Sequence, residues 1–208
     1  MRHSLTAQGY GVRLRPVQLE DAPFLVWLRN MDFAKGWVGD SAPSVAGQET
    51  WLNSYFEREG DYYFLVETFS GIPLGTNAIY NLREARGEIG RLVIRPGVSA
   101  GVPSCHLLLR LFYEQMGMIE VRAESVAGNY AIHSLLRKYE FRQVGLEHSS
   151  RTIGGKAIDM LHFVQTLEDW PRAREKSKPK AQWAEARIRR WEEVYRQQYP
   201  QEIESGTG

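Results

Sequence analysis

The residues able to do chemistry lie between Glu88 and Tyr139. Glu88 opens a stretch, Glu88 to Ile94, that alternates and then turns apolar, the pattern of a partly buried strand. A carboxylate carried into such a strand loses hydration, so its pKa rises and it becomes suited to take a proton. The structural alternatives are an exposed edge carboxylate, or an ion-pair partner for Arg86 or Arg91. Pro96 to Val102 follows as loop, with two glycines, one proline and one serine. Pro103 to Met116 then reads as a helix. Leu107, Leu108, Leu111 and Phe112 recur at helical spacing, and Gly117 supplies the stop. A strand feeding a loop whose amides and helix N-terminus face outward is an anion site. Its donors are the amides of Gly101, Val102, Ser104 and Cys105 and the Ser104 hydroxyl, because Pro103 has no N–H. No Lys or Arg lies between Gly97 and Ser104. Amides and a helix dipole worth about 0.3–1 kcal/mol must hold the anion, so weak binding is expected.

Ile119 to Ser125 reads as a second strand and Asn129 to Tyr139 as a second helix, with Asn129 placed to cap it. The whole stretch, Gly87 to Phe141, resembles the cofactor half of the GNAT superfamily of N-acetyltransferases. Glu88-Ile89 stands where many family members place the general base. Ser99, eleven residues after Glu88, falls where the family's phosphate loop opens. The helix after Asn129 ends Leu-Leu-Arg-Lys-Tyr-Glu-Phe, similar to the family's Asn…Leu-Tyr-x-Lys-x-Gly-Phe. The order of elements agrees over about Val12 to Leu167. The loop departs from the family pattern Gln/Arg-x-x-Gly-x-Gly/Ala. Ser99-Ala100-Gly101-Val102-Pro103-Ser104 fills no signature position, and Gly101 comes one place early. The family's usual catalytic tyrosine falls on Leu136.

The resemblance implies acyl-CoA, most simply acetyl-CoA, as co-substrate and a primary amine as acceptor. It implies that the cofactor is held by Leu92, Val93 and Ile94, by Ser99, Ala100, Gly101, Val102, Ser104 and Cys105, and by Asn129 on the pantetheine arm. Such a transfer works chiefly through proximity. It needs a base to neutralise the amine and amides to receive the developing oxyanion. Glu88 is the expected base. Tyr139, three residues beyond Leu136, is the nearest phenol for the missing acid. Trp27-Leu28-Arg29-Asn30 resembles the Trp-Arg-Asn signature of two branches, one acetylating amino-sugar nucleotides and the other protein N-termini. Trp27, Arg29 and Trp37 are the expected acceptor contacts, able to stack on a ring and pair with a phosphate; for Trp37 the alternative is a plug on the core. Cys105 reads most simply as packing, since no His stands in evident support of a nucleophile.

These residues need a frame. Val12 to Pro16 alternates as a first strand, Leu19 to Asn30 forms a helix with Phe24, Leu25, Trp27 and Leu28 inward, and Met31 to Val45 is irregular. Ser44 caps a helix with Trp51, Leu52, Tyr55 and Phe56 on one face. Tyr62 to Glu67 and Leu74 to Leu82 are strands joined through Ser70-Gly71; Gln143 to His148 and Asp159 to Leu167 form another pair around Gly154-Gly155. The expected fold is α+β, a GNAT-like mixed central sheet flanked by helices. Residues 1–11 are expected to be loose, 12–168 to form the acyltransferase domain, and 169–208 to be a connector and a helical extension. In that extension Arg172 to Lys180 is the basic connector and Ala181 to Tyr199 the helix, packed on its own domain, against a second copy in a homodimer, or over the acceptor cleft. Pro200 to Gly208 is polar and expected to be disordered.

Composition bounds the rest. The 208 residues suit one domain with an appendage, and 43% hydrophobic with 25% charged residues is ordinary for a globular protein. A net charge of +1 argues against a nucleic-acid binder. A single cysteine forms no internal disulfide, no apolar run is long enough to span a membrane, and no His or Cys cluster has metal-ligand spacing. A cytoplasmic enzyme moving an acetyl group to a small amine such as an amino sugar is the expectation. The alternatives are a protein N-terminal acetyltransferase and a catalytically silent domain that binds a ligand or partner.

Overall fold

A computed structural model describes residues 2–39 and 41–199; the tail expected to be disordered lies outside them. The elements in order are β1 (Ala7–Gly9), β2 (Val12–Pro16), α1 (Ala22–Asn30), α2 (Val45–Phe56), β3 (Tyr62–Glu67), β4 (Pro73–Arg83), β5 (Arg86–Ile94), α3 (Gly101–Arg110), β6 (Glu120–Val126), α4 (Tyr130–Lys138), β7 (Arg142–Ile153), β8 (Lys156–Thr166) and α5 (Trp170–Gln198). A π-helical turn, Leu111–Gln115, closes α3. The strands form one sheet in the order β1-β2-β3-β4-β5-β6-β8-β7. Neighbours are antiparallel except β5 and β6, which the α3 crossover makes parallel.

The core lies on both faces of this sheet, as strand alternation requires. Along β3, Tyr63 and Leu65 face α1 and α2 with Leu25, Leu52 and Tyr55. Phe64 and Val66 face the other way, toward Leu107 and Phe112 near α3, Leu135 of α4 and Ile188 of α5. This mixed sheet between helical layers is the α+β architecture expected.

Two stretches differ from expectation. Ala7–Gly9, placed in the loose end, pairs with β2 from Ala7↔Leu14 to Gly9↔Val12. Tyr10 and Gly11, at φ 53° and 79°, make the tight turn between them. Three residues are too few to show an alternation. The basic connector, 172–180, is helical throughout. Pro179 inside α5 removes one helical hydrogen bond, at a cost of about 3 kcal/mol. A buried stripe of Trp170, Ala173, Ser177, Ala181, Ala184, Ile188 and Tyr195 offsets it. Each large side chain fully buried is worth about 1.5–3 kcal/mol. Ser177 adds a hydrogen bond across to His106 of α3, Oγ to Nδ1 at 3.0 Å. The extension thus docks on its own domain, along α3.

Candidate active site

The site begins where β5 changes partners. Its ladder to β6 runs from Arg86↔Glu120 only as far as Ile89↔Ala123. Beyond that pair the two strands part, and the β6-facing backbone of β5 has no strand beside it. On the other side, β5 pairs Gly90 with Ala78 and next Val93 with Thr76, so an extra residue bulges at Arg91–Leu92. Arg91 sits at φ 52°, and its carbonyl accepts from Thr76 Oγ1 at 2.7 Å. The bulge turns its guanidinium onto Asp61, at 2.5 and 2.8 Å, among the rings of Trp51, Tyr63 and Tyr80. Burial alone would lower the Arg91 pKa; Asp61 raises it above the ordinary value. Gly90 is needed here, because a Cβ would meet the Tyr80 hydroxyl.

Two cavities open at this fork. The smaller, about 360 Å³, is lined by Arg29, Asn77, Tyr80, Arg91, Glu124 and Arg151 among others. The larger, about 760 Å³, is lined by Leu92, Val93 and Ile94, by Ser99, Gly101 and Val102, and by Lys138, Lys180 and Trp183. Trp37, Leu92 and Asn129 border both, so the cavities meet beneath them. In the smaller one Arg151 pairs with Glu124, which also lies 3.5 Å from His162 Nδ1. Burial, and then the nearby Glu88 carboxylate, push the Tyr80 phenol up to about 12, so it remains a proton donor at neutral pH. Asn77 is 2% exposed. Its Oδ1 accepts from the Ala78 amide at 3.1 Å, while its Nδ2 has no partner among the described residues.

The expected cofactor residues divide. Leu92, Val93, Ile94, Ser99, Gly101, Val102 and Asn129 gather on the larger cavity, with Asn129 also capping α4 through Oδ1 to the Ile132 amide at 3.3 Å. Ala100 and Ser104 do not face it. The helix starts at Gly101, two residues before the expected Pro103, because proline is tolerated in a first turn. The Ser104 amide is therefore consumed by the Ala100 carbonyl at 3.0 Å and its hydroxyl by the Gly101 carbonyl at 3.2 Å. Cys105 is buried in the wall of the smaller cavity, and burial pushes its thiol up, away from nucleophilic chemistry.

The expected catalytic residues lie apart. Glu88 is half-buried on β5, across from Tyr80 and Arg122, and lines neither cavity. Tyr139 is 0% exposed, also outside both, with its hydroxyl donating to the Val102 carbonyl at 2.7 Å. Of the acceptor contacts, Arg29 and Trp37 line the smaller cavity. Trp27 does not; it stacks on Phe24 and lies under the Arg95 guanidinium, which Trp191 and Tyr195 of α5 also contact. Arg95 draws Trp27 toward a helix that sequence reasoning did not place there.

Sequence reasoning missed Asn77, Tyr80, Glu124, Arg151, Lys138, Lys180 and Trp183. Asn77 alone carried a signal, as a carboxamide in the mostly apolar first half of β4. The rest enter through packing of distant segments. Among the described residues no three His, Cys, Asp or Glu gather to hold a metal ion, and no helix is long and apolar enough to cross a membrane.

Known proteins share this fold. The family model described as acetyltransferase (GNAT) domain matches residues 12–142. A GCN5-related N-acetyltransferase from Brucella melitensis superposes with a TM-score of 0.75 at 19% identity, covering 86% of each chain. FdhC, a nucleotide-linked sugar GNAT, superposes at 0.69 with 21% identity, over 86% of this chain and 98% of that one. Mycobacterium smegmatis RimJ, solved with CoA-disulfide, superposes at 0.71 with 19% identity, over 82% of this chain and 90% of that one. At such identities the likeness is one of fold. No curated protein matches the sequence significantly.

Proposed function

The chain belongs to the GNAT acetyltransferase family and is an acetyl-CoA-dependent N-acetyltransferase; from that premise we propose that its acceptor is the primary amine of a small anionic molecule, an amino-sugar nucleotide being the class that fits. The carrying observation is the pair of cavities meeting at Leu92 and Asn129, the smaller lined by Arg91 paired with Asp61, Arg151 paired with Glu124, and Arg29, which has no carboxylate partner among the described residues. That lining suits a phosphate-bearing acceptor and opposes a polyamine. FdhC carries a nucleotide-linked sugar in its description and shares the fold, which is consistent with this reading.

The roles follow from position. Acetyl-CoA supplies the activated acyl group from the larger cavity. The backbone of Leu92 to Ile94, freed from β6, receives the thioester oxygen as charge develops there. Asn129 orients the arm at the junction. Arg29 and Arg151 hold the acceptor's anionic group, and Trp37 walls its ring. Asn77 Nδ2 donates to the acceptor. The carboxylates Glu124 and Glu88 stand on adjacent strands around Tyr80. Glu124 lines the cavity and takes the ammonium proton directly; Glu88 is the second carboxylate of the same face. A single buried cysteine asks for no oxidising compartment, in keeping with a cytoplasmic setting.

The test is CoA release from acetyl-CoA across an acceptor panel: amino-sugar nucleotides, free amino sugars, polyamines and peptides with free N-termini. Amino-sugar nucleotides should give the highest kcat/KM. Turnover confined to peptides or polyamines overturns the acceptor assignment. A silent binding domain, the reading favoured by the departures at Ser99, Val102, Ser104 and Leu136, instead predicts CoA binding without release on any amine.

A further inference from the structure

We propose that α5, which lies outside the segment matching the family, forms a wall of the cofactor site, with Lys180, Lys138 and Arg187 supplying the phosphate-binding cations that the loop lacks and Trp183 a stacking face for the adenine. The inference rests on the acyl-CoA reading of the larger cavity.

The loop alone is a poor phosphate site. It has no Lys or Arg between Gly97 and Ser104. Pro103 offers no N–H, and Ser104 is turned inward by its bonds to Ala100 and Gly101. Helix geometry leaves the Gly101 and Val102 amides open, and a Cβ on Gly101 would meet nothing within 4 Å. A pyrophosphate held by these few amides would lack any counter-charge from its own loop.

The counter-charge stands in the same cavity on other elements. Lys138 ends α4 and Lys180 lies on α5; both line the cavity, and neither forms an ion pair among the described residues. Arg187, two helical turns beyond Lys180, donates from Nε to Ser99 Oγ at 3.2 Å, which ties α5 to the loop. Its guanidinium also lies over the Trp183 ring at 4.7 Å. Trp183 borders the cavity while 62% exposed, an open aromatic face beside two cations. A purine stacks on such a face, and its phosphates meet the cations.

The wall is held in place before any ligand arrives. Ser177 bonds His106, Lys176 pairs with Glu140 at 2.5 Å, and Arg174 pairs with Glu114 at 3.1 Å. Arg95 lies against Trp191 and Tyr195 further along the helix. These contacts give the continuous helix through Pro179 a function: they carry Lys180 and Trp183 to the loop.

Calorimetry with CoA and with pantetheine, which has no phosphate, tests this on the full chain. Replacing Lys180→Ala together with Arg187→Ala should raise the Kd for CoA about tenfold or more, the worth of one or two charge-assisted bonds. The same pair should leave pantetheine binding unchanged and reduce the salt dependence of CoA binding. Trp183→Ala should reduce quenching of tryptophan emission by CoA, leaving only the part due to Trp37, and Lys178→Ala, on the far side of α5, should change nothing. These side chains are exposed, so the variants should keep the wild-type melting curve. Equal CoA affinity in wild type and double variant overturns the inference while leaving acyl-CoA as co-substrate. Failure of the wild type itself to bind CoA at millimolar concentration overturns both.

Discussion

The Tyr139 hydroxyl donates to the Val102 carbonyl at 2.7 Å, joining the end of α4 to the first turn of α3. This bond braces the loop that faces the larger cavity. Burial pushes the phenol far above its ordinary pKa, so it stays neutral at all working pH values. Tyr139→Phe should lower stability by about 1 kcal/mol, the usual net worth of a hydrogen bond, and raise the KM for acetyl-CoA modestly. Thermal melts and steady-state kinetics check this. A fall in kcat of a hundredfold with an unchanged melt would return Tyr139 to the acid role.

The two carboxylates are separable by rate. Glu124→Gln should lower kcat by roughly 10²–10⁴-fold, the range for general acid–base catalysis, with CoA affinity preserved. Glu88→Gln, one strand away and outside the cavity lining, should cost less. The reverse order, read from pH–rate profiles of both variants, would make Glu88 the base.

Asn77 offers a donor with no partner in the protein. An unsatisfied buried donor destabilises the native state by about 1–3 kcal/mol. Asn77→Ala should therefore cost little stability and still lower kcat/KM for the acceptor about tenfold. If melting temperature falls sharply while acceptor kinetics hold, Asn77 is a core residue only.

His106 makes the docking of α5 sensitive to acid. Burial, reinforced by Arg110, lowers its pKa from 6.5 to about 4. The unfolded chain then binds the proton that the folded one refuses, so stability is complete above pH 6.5 and declines as pH falls toward 4. His106→Gln should flatten that slope in melts recorded across the range. The wild type and variant sharing one slope would refute the assignment.

Much of the frame was legible locally. Alternation in Glu88 to Ile94, the loop punctuation after it, and the helical spacing of Leu107, Leu108, Leu111 and Phe112 are properties of neighbours in the chain, and the elements formed where those periods lie. The helix cap at Asn129 was legible for the same reason: a side chain bonding three residues on is a local event. Tertiary packing decided what local periods do not carry. Ser104 turned inward because the helix began one half-turn early; Trp27 was claimed by Phe24 and Arg95; and Ala7–Gly9 became a strand only because β2 lay beside it. The composition of the two cavities was decided in the same way. Arg29, Asn77, Glu124 and Arg151 come from four separate segments, and Lys180 joins Ser99 and Gly101 on the larger cavity only because a buried stripe keeps α5 helical through Pro179. Sequence periodicity determines which face of each element is buried, whereas the meeting of charges in a cavity depends on how those buried faces pack across the fold.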